Sequence, residues 1–452
     1  MKKNLNMITG SPFRSLLAFA LPMVLGNLFQ QLYQIVDSII VGKVLGQKAL
    51  SAVGSTFSIC HLYVGIALGL GTGCMIVFSQ LLGARRFVRM KTAFYTAIIT
   101  FALLSIAALV IGLVSTEGIL QLTNIPEEIY PDARIYYRLY VLGFPALFVY
   151  NIASSVFNSL GKSKITLFLL MGTSLLNVAL DLWFVIGLGQ GVAGAAIATD
   201  ISLYVAAIVA IILVLVHVKK NYKTEERADI FEFRILGNML KVAIPTMIVQ
   251  IVVSVGYVAL QSLVNTFGID IISGYVAGYK IDALCAIPMV QIGNAMATYT
   301  GQNVGANQYD RVYKGLKVAS ATVAVIFAVF ASIIWLFGRQ MIGLFMDANA
   351  GAAAYDAGVG YMRVMCSTYI LLGLMYIFAA TLRGAGDAIM SVLAVILNFG
   401  TRVAFAYIMV HITGSELAIW WSNPIGWMVA LVICGLRFKS GAWKTKRLAD
   451  RV

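Results

Sequence analysis

Charge, histidine and paired cysteine are what this sequence has least of. Only 12% of its 452 residues are charged, 19 of them acidic. A soluble domain cannot be covered with so few charges, so a soluble class is excluded. There are three histidines, His61, His217 and His411, far apart in the chain. The five cysteines, Cys60, Cys74, Cys285, Cys366 and Cys434, are scattered through apolar runs with no CxxC spacing. This excludes a zinc or iron–sulfur framework, and the cysteines read as small packing residues. No HExxH, GxSxG or P-loop motif occurs, which argues against a membrane-embedded enzyme and against ATP as direct energy source.

What is present is apolar: 60% hydrophobic residues and a mean hydropathy of +0.88. Twelve spans fit the chain as helices. They are Leu16–Val41, Leu50–Leu82, Thr92–Val114, Ile135–Phe157, Ile165–Leu188, Val192–His217, Met239–Val264, Ile271–Tyr299, Val318–Phe337, Gly358–Leu382, Ile389–His411 and Ala418–Leu436. The class is an all-α polytopic membrane protein of twelve transmembrane helices in two pseudo-symmetric six-helix bundles. Residues 1–218 form the first lobe, 219–237 a linker, 238–437 the second lobe and 438–452 a basic tail. The short basic segment before the first span lacks a small-residue cleavage site, so that span reads as a retained signal anchor.

The net charge of +14 is a topology signal and not a nucleic-acid footprint. Of the 33 Lys and Arg residues, 25 fall in alternate loops and the tail, among them Arg85, Arg86, Arg89, Lys219, Lys220, Arg311 and Lys444. The opposite loops hold only Lys43, Lys48, Arg134 and Arg339. By the positive-inside rule both termini and the linker are cytoplasmic, in an inner membrane.

The chain repeats itself with an offset of about half its length. Ile244-Pro245 matches Leu21-Pro22, Gln302…Gly305-Ala306 matches Gln80…Gly83-Ala84, and Arg383-Gly-Ala-Gly386-Asp387 matches Asn158…Gly161-Lys162. Two halves of the same topology should place a site between them. Polar stripes repeat too: Asn27, Gln30 and Gln34 on the first span, Gln250, Ser254 and Tyr257 on the seventh. Spacings of 3 and 4 put each set on one helix face, where they are candidates for lining a substrate cavity.

The acids do not repeat. Asp37 lies 15 residues after Pro22, about 22 Å further along a helix, and well inside a hydrocarbon core of about 30 Å. Its counterpart is Leu260. An acid at that depth is a functional candidate by default. Asn177 and Asp181 share a face of the fifth span, and Thr199 and Asp200 follow on the sixth. Carboxylate with amide and hydroxyl oxygens suits a proton or a hard monovalent cation. Helix–helix hydrogen bonding is the bland alternative for Asn177 and Thr199. In the second half, Lys280, Asp282, Gln291 and Asn294 are further cavity candidates, and Arg402 stands at the position of Asp181.

In their order and spacing through twelve spans, the Pro22 helix with Asp37, the two copied loops and Asn177…Asp181…Thr199 resemble the multidrug and toxic compound extrusion (MATE) transporters. The resemblance covers essentially the whole chain. It implies two six-helix bundles and export of organic cations against H⁺ or Na⁺. In the DinF-like branch it puts the cation site on Asp37, Asn177, Asp181 and Thr199. The NorM-like branch uses acids on the seventh and tenth spans, where this sequence has none. Asp200 departs from the pattern and stands as a candidate additional acid. The expectation is a monomeric antiporter working by alternating access, with no cofactor, a cationic amphipathic substrate and H⁺ or Na⁺ as coupling ion. The alternatives are a lipid-linked oligosaccharide flippase of the same superfamily, disfavoured by the scarcity of intramembrane basic residues, and a membrane enzyme.

Overall fold

A computed structural model of the chain describes residues 7–122, 125–222, 226–345 and 351–451. Lys2, Lys3 and Lys223 lie outside the described residues. Among the described residues eleven helices are long and apolar enough to cross a membrane, and a bent pair makes a twelfth span when taken as one. In chain order they are α1 (Pro12–Ile40), α2 (Gln47–Gly83), α3 (Phe87–Val114), the short α4 (Thr116–Leu122), α5 (Tyr130–Leu142), α6 (Phe144–Ser159) and α7 (Ser163–Asp181). Then come α8 (Gly191–Asn221), α9 (Phe233–Val264), α10 (Ile269–Gly305), α11 (Tyr309–Gly343), α12 (Ala352–Ala385), α13 (Ala388–Thr413) and α14 (Leu417–Lys439).

The repeat is visible in the backbone. Gly46 and Gly268, 222 residues apart, precede α2 and α10 with φ of 88° and 89°. Both helices run for 37 residues. Each ends in a tight turn with a left-handed non-glycine residue, Arg85 (φ 57°) and Asn307 (φ 58°). Only glycine adopts such φ values freely, so two strained matches at one offset mark a copied turn.

One element is not copied. The fourth span is broken at Gly143 into α5 and α6, bent by 44°. Pro145, in the first turn of α6, has no N–H for the helix ladder. The second-half counterpart, α12, carries no proline and runs unbroken for 34 residues.

The chain divides into two compact units. One holds residues up to Val24 together with Ile248–Asp450; the other holds Leu25–Met247. The division therefore passes through α1 and α9, two residues after Pro22 and Pro245, and not through the loop at 219–237. In the Ile248–Asp450 unit α10 packs tightly on α12. A Cβ on Gly274 would stand 2.3 Å from the Ala354 carbonyl oxygen. Lipid tails are as apolar as leucine, so such close packing is a main source of helix cohesion in a membrane. The outer faces are apolar, as on α1, where Leu21, Leu32 and Ile35 are exposed.

The basic tail is folded against its unit. Trp443 is fully buried, stacked on Phe438 with ring centroids 5.2 Å apart. Arg447 donates to the Gly305 carbonyl at 2.6 Å. At the other end of the chain, Arg311 donates to the carbonyls of Met7 (3.0 Å) and Gly10 (2.6 Å). The loop after α3 carries a second cluster, in which Glu117 accepts from Tyr130 (2.7 Å), Arg134 (2.5 Å) and Arg138 (3.2 Å). Arg138 thus shares one acid with Arg134.

Candidate functional site

Three helices of the Leu25–Met247 unit build the cluster: α1, α7 and α8. Asp37 stands one turn before α1 opens into a π-helical turn, Val41–Leu45. Asp181 ends α7 immediately before a second π-helical turn, Leu182–Gly187. Such widened turns recur at functional sites. Val41, Val185, Val192 and Ala195 pack together beneath them, which fixes the three helices at the level of the acids.

The carboxyl groups of Asp37 and Asp181 lie within hydrogen-bonding reach of one another. Asp181 is fully buried and Asn177, one turn earlier, is buried. Asn177 donates to the Thr199 hydroxyl at 3.4 Å, and that hydroxyl donates to the Ala195 carbonyl at 3.1 Å. Four acceptor atoms remain buried without a hydrogen-bond partner: Asp37 Oδ1, both oxygens of Asp181 and Asn177 Oδ1. Buried acceptors normally find donors. Acceptors left together without one are what a bound proton or hard cation would satisfy. The structure also brings Tyr33 to this cluster, within electrostatic reach of both carboxyls. Sequence reasoning passed over it, although it sits one turn before Asp37.

Asp200 faces elsewhere. It is buried, its Oδ1 has no partner, and it presses on the break of the fourth span. A Cβ on Gly143 would come within 2.2 Å of that oxygen. Tyr204, one turn further on α8, donates to the Leu142 carbonyl at 2.8 Å at the same break.

The remaining candidates are dispersed. On α1, Asn27 and Gln30 are half-buried and Gln34 is exposed. On α9, Gln250 is half-buried while Ser254 and Tyr257 are exposed. On α10, Asp282 accepts from Tyr369 (2.7 Å) and Tyr361 (3.1 Å). Lys280, two residues away, points to another side, 5.7 Å over the Phe345 ring. Asn294 donates to Gln291 at 3.1 Å. Gln291 is buried.

Fold and site together define a polytopic α-helical membrane protein of two repeated halves, with a half-buried and a buried acid side by side in the first half. The chain belongs to the MatE family, whose profile matches residues 22–183 and 245–408. It is 28% identical over 97% of its length, and 96% of the relative's, to the probable multidrug resistance protein YoeA of Bacillus subtilis. To the multidrug export protein MepA of Staphylococcus saprophyticus it is 24% identical, over 94% of this chain and 92% of the other. Among solved structures, a MOP superfamily transporter from Pyrococcus furiosus, described as having a binding pocket of reverse polarity, superimposes with a TM-score of 0.89. It is 24% identical and covers 98% of this chain and 99% of its own. A crystal structure of MATE in the straight conformation also gives 0.89, at 24% identity, covering 98% and 100%. These relatives are named as resistance, export or transport proteins, none as an enzyme.

Proposed function

We propose that the chain is a multidrug exporter of the MatE family that moves cationic, amphipathic compounds out of the cell in exchange for H⁺ or Na⁺. The coupling ion binds at Asp37, Asn177, Asp181 and Thr199. The observation that carries this reading is the cluster of partnerless buried acceptors around two neighbouring carboxyl groups. Two carboxylates so placed repel each other unless a proton or metal cation lies between them. The names of the relatives support export of drugs.

Binding of the cation drives substrate outward only if the inward- and outward-open conformations differ in affinity for it. The π-helical turns beyond both acids are soft points at which occupancy can change helix packing. The polar faces of α1 and α9, with Asn27, Gln30, Gln34, Gln250, Ser254 and Tyr257, are the proposed substrate contacts. The basic loops and termini face the cytoplasm, the membrane is the inner one, and the working unit is a monomer. Efflux of a panel of lipophilic cations from proteoliposomes, under an imposed ΔpH or ΔNa⁺, tests the reading. Export driven by one gradient is expected. Export that persists unchanged after both gradients are collapsed contradicts it.

A further inference from the structure

We propose that Arg402 is a tethered cation: it fills, in the second half, the place where the first half holds its exchangeable cation. This rests on the reading of Asp37, Asn177, Asp181 and Thr199 as the coupling site. Asn398 and Arg402 follow Asn177 and Asp181 at one offset, 221 residues. A polar bond joins the corresponding helix pair in each half, made by different residues: Asn177 of α7 bonds Thr199 of α8, and Arg402 of α13 donates to Asn423 Oδ1 of α14. Asn398 itself donates to Met375. The acids are gone from the copy, where Leu260 replaces Asp37 and a guanidinium replaces the Asp181 carboxylate.

The surroundings of Arg402 suit a cation and not an anion. It is only 4% exposed and forms no ion pair among the described residues. Its guanidinium lies 4.5 Å over the Phe399 ring and 5.6 Å over that of Tyr257. Asn398 Oδ1 is buried and partnerless, while its Nδ2 is engaged by Met375 Sδ at 3.5 Å. A Cβ on Gly426 would come within 2.3 Å of both Asn398 Oδ1 and Arg402 Cγ, so the two side chains share one tight space against bare α14 backbone. The named partners are amide oxygens and ring faces, all of which attract positive charge. Asp282 is held by two tyrosine hydroxyls and makes no ion pair with Arg402. Asp282 is within electrostatic reach of the guanidinium but not in contact with it. The cage itself is thus lined by neutral groups and permanently filled by a charge that cannot leave, and the second half does not exchange ions there. Arg402 is a positioning residue.

Chemical rescue tests this on the purified full chain. Arg402→Ala empties the cage and should lower Tm; millimolar guanidinium should restore most of the loss along a saturating curve. Urea, of similar shape but neutral, and NaCl at matched ionic strength should not. Arg402→Met fills the volume without charge, and should remain below wild type in transport and ignore guanidinium. Arg402→Asp in an Asp37→Asn/Asp181→Asn background should acquire a Tm rise of about 3–5 °C with Na⁺ or acid, absent in Arg402→Asn. The proposal is overturned if urea matches guanidinium, if neither acts, if Arg402→Met equals wild type in stability and transport, or if Arg402→Asp gains no cation response. The guanidinium rescue and the Arg402→Asp response are read as Tm and need no working Asp37–Asp181 pair, so that reading fails or stands separately.

Discussion

Asp37→Asn keeps the size of the side chain and removes its charge, which makes it the cleanest probe of the acid pair. Asp37 and Asp181 lie within hydrogen-bonding reach. At a separation of about 4 Å and an effective dielectric of 20, two negative charges repel by about 4 kcal/mol. A cation bound between them relieves that repulsion only in the folded protein. A native-state ligand at 100 times its dissociation constant stabilises by about 2.7 kcal/mol. Wild-type Tm in detergent should therefore rise with Na⁺ at constant ionic strength, or as pH is lowered, according to which ion couples. Asp37→Asn and Asp181→Asn should each lose most of this response. The double variant should be little worse than either, because residues of one unit are non-additive. An Asp37→Asn protein that keeps the wild-type slope against both Na⁺ and pH refutes the paired site.

Three other outcomes follow from the geometry. Tyr369→Phe removes a hydroxyl donor from the Asp282 carboxyl and should destabilise by about 1–3 kcal/mol in thermal unfolding; Tyr361→Phe, at the longer contact, should cost less. Gly274→Val forces α10 from α12 and should cost about 1–3 kcal/mol or more, whereas the same change at Gly400, with no atom near a Cβ, should be nearly silent. The Tyr130 hydroxyl, with Arg134 and Arg138, holds the Glu117 carboxyl below the usual glutamate range. A depressed folded value contributes stability above the unfolded value of about 4.3, lost as pH falls through the folded one. Acid-protease nicking of the loop after α3 should rise as pH drops below that value and be pH-insensitive in Glu117→Gln; identical profiles contradict it.

Spans and repeat were legible because hydropathy and helical period survive in any one sequence. Asp37 and Asp181 were legible by depth alone, since a lone acid in an apolar run needs a reason. Less could be read of direction. Thr199 and Asp200 are neighbours, yet Thr199 meets Asn177 while Asp200 turns to Gly143. Adjacent positions on a helix point about 100° apart, and only the packing of α5 and α6 decides what each meets. The break at Gly143 had a signal in Pro145, but a proline in a span tells neither angle nor partner. The folded tail was hidden because Trp443 is one aromatic among basic residues, and its burial depends, besides nearby Phe438, on Tyr309 and Tyr313 far away in sequence.

The central claim is that ion coupling resides in the first half. Gradient-driven efflux from proteoliposomes, compared between wild type, Asp37→Asn and Leu260→Asn, tests it most directly. The account predicts that Asp37→Asn abolishes coupled export while remaining folded and inserted, and that Leu260→Asn, at the matching position of the second half, exports at a rate close to wild type. Near-normal export by Asp37→Asn, or a defect in Leu260→Asn as deep as that of the acid variant, would contradict it.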